Sequence, residues 1–367
     1  MTNTEPTSTP PTDKSLKLTA YFAERERDGS RFLADAMFDL FAERRVTTSV
    51  MLRGISGFGH QRFIRTDESL TLSEDPSVAI AAVDTPRTIS ALADDVISMT
   101  RSGLITLERA RLLDGAGAVA LPDVDDAVKL TIYAGRNRRV NGIPVYKAVC
   151  AVLHRNRLDG VSVFLGVDGT SHGDRRRAHF LGRNIDVPLM IIAIGSAERV
   201  RKSVADLQAV LDRPLMTVER VRLCKREGKL LSGPPSLPDV DEHGRPLWQK
   251  LMVFTSEADR QDGVPIHRAL VRKLWESGTA SGATVLRGVW GYQGDREPHG
   301  DRLFQFGRQV PVMTVVVDTP RSIAASFRIV DDLTAGSGLV TCEMVPALVA
   351  TDDGRSHGTT ELAEYRY

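Results

Sequence analysis

Cysteine is scarce: Cys150, Cys224 and Cys342 are the only three in 367 residues, far apart and in no C-x-x-C spacing. That argues against a disulfide framework and against a thiolate zinc site, and it fits a reducing, cytoplasmic setting. Net charge is nearly absent as well. With 48 Lys and Arg against 47 Asp and Glu the balance is +1, so no overall field draws the chain to nucleic acid or to an acidic membrane surface. No run of about 18 apolar residues is present, which predicts no helical membrane span. Ser-His-Asp order, H-E-x-x-H, a Walker A loop and a Rossmann glycine fingerprint after a strand are all missing, so no catalytic function is expected.

What remains is an ordinary globular composition, 42% hydrophobic and 26% charged, in a chain long enough for two or three cores. Residues 1–15, rich in Thr and Pro without an apolar stretch, read as a disordered tail and not a signal peptide. After them one phrase recurs three times: Lys17-Leu-Thr-Ala-Tyr-Phe22, Lys129-Leu-Thr-Ile-Tyr-Ala134 and Lys250-Leu-Met-Val-Phe-Thr255. The intervals, 129 − 17 = 112 and 250 − 129 = 121, are those of whole domains, each closing its own core.

The features that follow each opening strand also repeat. A helical face at i, i+4, i+8 comes first, as Leu33, Met37, Phe41, then Val145, Val149, Leu153, then Ile266, Leu270, Leu274. A short apolar strand then runs into a glycine, and a polar, Arg-rich loop leads to the buried-strand runs Val78 to Val83, Leu189 to Ile194 and Val312 to Val317. These end on helix starts, Asp84-Thr85-Pro86, Gly195-Ser196-Ala197 and Asp318-Thr319-Pro320. Second helices follow, with faces such as Ile89, Ala93, Val96. Each copy closes on Leu-x-Thr-x-Glu, ending at Glu108, Glu219 and Glu343; the acids there read as partners in a structural ion pair or hydrogen bond. Strand, helix, strand, strand, helix, strand is the ferredoxin-like α+β order. The expected domains are 16–112, 128–224 and 249–348, with linkers at 113–127 and 225–248 and a loose polar tail at 349–367.

Leu52-Arg-Gly-Ile-Ser-Gly-Phe-Gly59, set between the second strand and the Asp84-Thr85 helix start, resembles the PII-like family catalogued as domain of unknown function 190. Gly57-Phe58-Gly59-His60-Gln61 is similar to the base of the long T-loop of nitrogen-regulatory PII proteins. The resemblance is strong in copies one and three and weaker in copy two. It implies three copies acting as an intramolecular pseudo-trimer in one monomeric chain, and a signal-transduction role in which an adenyl nucleotide (AMP, ADP, ATP or a cyclic adenine dinucleotide) sits between domains. No cofactor is required. The implied partner is a membrane transporter or channel, or an enzyme.

Carried onto this chain, the implied ligand residues are Arg53, Gly54, Gly57, Phe58 and Gly59 with Arg101, Ser102 and Gly103 in copy one. In copy three they are Arg287, Gly288, Gly291 and Tyr292 with Ser337 and Gly338. The T-loop base of one copy is expected to face the loop before the last strand of the next. Glycines let backbone N–H groups approach phosphate closely and guanidinium groups supply paired donors; equally, the glycines only turn the chain and the aromatics only plug a gap. Copy two has Leu165 for the Arg, no aromatic after its second glycine, and Asp212-Arg213-Pro214 before its last strand, so unequal clefts are expected. Arg175, Arg176 and Arg177 read more readily as a solvated loop than as an anion site. Two rival readings stand: a ligand-free interaction scaffold, and CutA-like metal handling through His60, His172 and His299.

Overall fold

The computed structural model describes residues 15–59, 63–66, 75–114, 127–177, 187–300 and 309–365. It contains three tandem repeats of mixed α/β content. In the first, the strands Ser15–Ala23, Thr48–Phe58, Ser77–Asp84 and Gly103–Asp114 flank the helices Leu33–Glu43 and Pro86–Met99. The opening strand lies between the third and the last, and the second strand pairs outside the third, all antiparallel. The second repeat repeats this order with strands Ala127–Gly135, Gly160–Leu165, Pro188–Ser196 and Leu215–Arg226. The third does so with Trp248–Ser256, Ala283–Arg287, Pro311–Asp318 and Leu339–Val345.

The apolar periodicity of the helices accounts for three separate cores. Leu33, Met37 and Phe41 are wholly buried with Ile89, Ala93 and Val96 against one face of the first sheet; Val145, Val149 and Leu153 do the same in the second, and Ile266, Leu270 and Leu274 in the third. Thr85, Ser196 and Thr319 each accept the backbone N–H three residues on, and Pro86 and Pro320 occupy the first helical turn, where the missing N–H costs nothing. The opposite faces of the three sheets meet in a fourth apolar cluster, drawn from all repeats, that includes Val50, Met190, Met252 and Val315.

The repeats are stitched into a closed ring by strands. The end of each last strand pairs with the last strand of the following repeat: Arg111 with Val218 and Arg222 with Cys342. The third joint is made by Ala347–Asp352, which pairs with Gly103–Leu107 and is backed by Arg355–Thr359. The expectation of a loose tail at 349–367 is therefore corrected. After Pro346 the chain resumes the last strand with Ala347, Leu348 and Val349 buried, an apolar run that has to be covered. The linker at 225–248 is itself folded: Lys225 and Arg226 pair with Leu230 and Lys229, Val240 bridges Pro246, and Leu237 and Leu247 are buried. Asp241 fixes this segment to the C-terminal residues, accepting the N–H groups of His243, Arg245 and Glu364 and the Arg245 guanidinium.

A second set of joints runs the other way round the ring. Gly57 and Phe58 of repeat 1 pair with Thr284 and Ala283 of repeat 3. Gly291 and Tyr292 of repeat 3 pair with Ser162 and Val161 of repeat 2, and Gly169 and Thr170 of repeat 2 pair with Val50 and Ser49 of repeat 1. The three glycines are equivalent, and the reason is contact. A Cβ would lie 2.5 Å from Ala283 O at Gly57, 2.2 Å from Val161 O at Gly291 and 2.2 Å from Ser49 O at Gly169.

Candidate functional site

At the centre of the ring six charges alternate. Each recurring opening lysine meets the closing glutamates of two repeats. Lys17 contacts Glu108 at 2.8 Å and Glu219; Lys129 contacts Glu219 at 3.3 Å and Glu343 at 2.7 Å; Lys250 contacts Glu343 and Glu108. All six are buried. Burial alone would raise Glu108 and Glu343, but the surrounding lysines outweigh it and hold the Glu108 carboxyl well below its usual range and Glu343 below it. Burial likewise opposes the charge of Lys17 and Lys250, and the glutamates overcome it and raise both; at Lys129 burial wins and lowers it. The three carboxylates place one oxygen each within 4.8 Å of one another, yet every one is engaged by ammonium groups, so the cluster is a closed ion ring. Beside it a chamber of about 60 Å³ is walled by the three lysines, Tyr21 and Tyr133.

The cavity of interest lies at the border of repeats 1 and 3 and measures about 280 Å³. Repeat 1 supplies Tyr21, Phe58, Gly59, Ser102, Gly103 and Leu104; repeat 3 supplies Ser281–Thr284 with Val315 and Val317. Asp318 steadies the far wall by accepting the Ser281 N–H at 2.7 Å. The apolar part is formed by Tyr21, Phe22, Phe58 and Leu104, the charged part by Glu26, Asp75, Asp352 and Arg65. Burial pushes the Glu26 carboxyl up and the neighbouring Asp75 and Asp353 push it further, while the Ser102 N–H and Arg101 act against them. Tyr21 borders both this cavity and the central chamber, and burial lifts its hydroxyl to about 12.

The corresponding place at the border of repeats 3 and 2 retains about 10 Å³. Strand register aligns the two borders: Phe254, Tyr292, Gln293 and Leu339 stand where Tyr21, Phe58, Gly59 and Leu104 stand at the first. The change from Gly59 to Gln293 puts a side chain into the space that Gly59 leaves open, since a Cβ on Gly59 meets nothing within 4 Å.

Of the residues expected to hold a ligand, this cavity gathers Phe58, Gly59, Ser102 and Gly103, all from the same repeat. The expected pairing of one copy's T-loop base with the next copy's pre-strand loop is thus corrected, because the second strand of repeat 1 crosses onto repeat 3 while its last strand begins on the same side. Arg53 is exposed and paired with Glu24 at 2.5 Å, and Arg287 with Glu257 at 2.7 Å; in repeat 2 both partners are replaced together, by Leu165 and Arg136. Gly54 leaves room for Ser77, whose oxygens would lie 2.6 and 2.8 Å from a Cβ. Arg101 is exposed beside the cavity and its carbonyl accepts the Gly354 N–H.

In repeat 3 the expected site is filled. Tyr292, 2% exposed, plugs the core of repeat 2 edge-on to His154, so it offers no face to a base. Gly288 and Gly291 press on Val163 O and Val161 O, and the Gly338 carbonyl accepts the Gly228 N–H from the segment packed over the Ser337 loop. The arginine run is used internally: Arg175 binds Asp168, Asp35 and Asp39, Arg177 binds Asp35 and Asp168, and Arg176 binds Asp174. That joins repeat 2 to the first helix of repeat 1. Of the histidines, His60 lies outside the described residues, His172 is exposed and His299 rests its Nδ1 against Glu297 O at 2.9 Å. Most of the segment between Gly59 and Asp75 lies outside the described residues too. Among the described residues no helix is long and apolar enough to cross a membrane.

No role for the opening lysines was expected from the sequence. Their recurrence at one position, matched by the closing glutamates, was the available signal for the ion ring. The charged rim of the cavity carried no such signal, since Glu26, Asp75 and Asp352 come from a turn, a strand start and the C-terminal hairpin.

A family model described as "DUF190: Uncharacterized ACR, COG1993" matches residues 15–112, 127–223 and 248–347. A UPF0166 protein from Aquifex aeolicus (strain VF5) is 31% identical over 99 residues, covering 27% of this chain and 90% of its own. A crystal structure of aspartate kinase from Synechocystis aligns with 94% of this chain at 13% identity and a TM-score of 0.23. The chain spans 45% of that protein.

Proposed function

The chain belongs to the DUF190 family, in three tandem copies, and on that footing we propose that it is a PII-like sensor whose repeats occupy the three subunit places of an internal pseudo-trimer. The antiparallel order of second, third, first and last strand under two helices supports a ferredoxin-like reading of each repeat. The closed alternation of Lys17, Glu219, Lys129, Glu343, Lys250 and Glu108 supports a pseudo-threefold arrangement, because each ion pair recurs at equivalent positions.

The function proposed is binding of one small ligand per chain at the border of repeats 1 and 3, with the occupied cleft reported to a protein partner. The observation that carries it is the inequality of the borders, about 280 Å³ against about 10 Å³ at equivalent positions. A pocket of the larger size, apolar with a few convergent polar groups, is what small-molecule sites look like. Tyr21, Phe58 and Leu104 give the cavity an apolar lining compatible with a ring such as adenine.

The test is a thermal-shift panel of AMP, ADP, ATP, cyclic adenine dinucleotides, small amines and divalent metals on the chain and on Gly59→Gln. A shift in the parent that vanishes in G59Q supports the sensor. A shift with metals alone supports CutA-like metal handling, and no shift with any compound supports the ligand-free scaffold.

A further inference from the structure

Resting on that reading of the cleft, we propose that its ligand is an organic cation, an amine carried on a flat apolar body, and not a free anion. Three carboxylates, Glu26, Asp75 and Asp352, line the cavity against one guanidinium, Arg65, and just outside the lining Asp353 and Arg101 add one charge of each sign. A phosphate chain entering there would meet like charge at short range, whereas an ammonium group would meet opposite charge. Aromatic rings add to the same preference, since Tyr21, Phe22 and Phe58 form the inner wall and their faces attract cations. Ser77 Oγ, buried with no hydrogen-bond partner among the described residues, also lines the cavity and is free to accept from an N–H donor.

A bare metal ion fits less well. Among the described residues the metal-competent group with oxygens within 4.8 Å of one another is Glu108, Glu219 and Glu343, which the lysines already neutralise. The carboxylates of the cleft are spread around its rim, the arrangement for a diffuse charge on a larger body. Glu26 keeps one hydrogen bond from the Ser102 backbone and Asp75 one from the Arg25 backbone at 2.7 Å, so both are held in place with acceptor capacity left over.

The experiment is NMR titration of the full chain with tryptamine, with its anionic counterpart indole-3-propionate, and with AMP, following the amide signals of Gly59, Ser102 and Gly103. Tryptamine is expected to move these signals with an affinity at least tenfold above that for either anion. Glu26→Gln and, independently, the exposed-site variant Asp352→Asn are each expected to reduce tryptamine affinity several-fold and to narrow the preference. Equal or tighter binding of indole-3-propionate or AMP at the same signals overturns the cationic preference and leaves the cleft standing. If none of the probes moves these signals, the cleft fails as a binding site and this inference fails with it.

Discussion

Lys129 of the second repeat donates to both carboxylate oxygens of Glu343 in the third, at 2.7 Å each, with neither side chain more than 5% exposed. The pair crosses a repeat border, and the same position is used at the other two borders by Lys17 with Glu219 and Lys250 with Glu108. A hydrophobic centre would have served stability as well. The charges specify which strands meet, because a misaligned repeat leaves a buried ammonium or carboxylate alone.

Removing one charge should therefore cost far more than removing the pair. Glu343→Gln leaves Lys129 and Lys250 short of counter-charge and is expected to lower stability by about 3–5 kcal/mol in urea titration. The double variant Lys129→Met/Glu343→Leu should recover most of that loss. A double variant as unstable as the sum of its singles would contradict the alternating ring.

The ring also sets an acid limit. Glu108 and Glu343 have folded values below the 4.5 of an unperturbed glutamate, so their contribution is present above about pH 4.5 and is lost as pH falls through the folded values. Lys17 lies above its ordinary 10.5, so its contribution persists at neutral pH and fades only in strong alkali. Stability measured by denaturant titration should be level near neutrality and drop below about pH 4.5, and the drop should be shallower in Lys129→Met/Glu343→Leu.

Gly59→Gln copies the residue of the collapsed border, Gln293, into the open one. Because a Cβ at Gly59 meets nothing within 4 Å, the unfolding free energy should change by no more than an ordinary surface substitution does, about 0.5 kcal/mol. Whatever ligand protects the parent against heat should no longer protect this variant.

Gly169 presents the opposite case. A Cβ there would lie 2.2 Å from Ser49 O and 2.6 Å from the Pro188 ring, so Gly169→Ala must push the repeat 2 strand off repeat 1. A loss of about 1–3 kcal/mol is expected, read as a lower urea midpoint, with the same effect at Gly291→Ala.

The contrast between Gly59 and Gly169 marks how much was legible in the chain itself. Helix faces such as Leu33, Met37, Phe41, the Thr85 and Thr319 caps and the threefold recurrence of the opening phrase are local patterns, and they mapped directly onto the elements found. Partnerships across repeats are not local. Phe58 and Tyr292 read as a matched pair of ligand-facing aromatics because their glycine neighbours look alike; Phe58, packed on the core of repeat 3, does border the cavity, whereas Tyr292 is a buried plug in the core of repeat 2. Tyr292 is held there by Gly291 pressing on a strand some 130 residues earlier in the chain. The strand after Pro346 was hidden for the same reason: its apolar start, Ala347 to Ala350, is short and runs straight into polar residues, so it passes for a tail until its partner, Gly103–Leu107, is known. Among candidate ligand residues, Ser102 and Gly103 were found because their loop is short and repeats, whereas Glu26, Asp75 and Asp352 meet only through the fold.

Scanning calorimetry tests the closed ring most directly. Three repeats that share strands at every border and one buried set of charges should melt in a single transition whose calorimetric and van't Hoff enthalpies agree, and Glu108→Gln should lower that transition as a whole. Separate transitions, or one in which Glu108→Gln shifts only a third of the enthalpy, would contradict the ring.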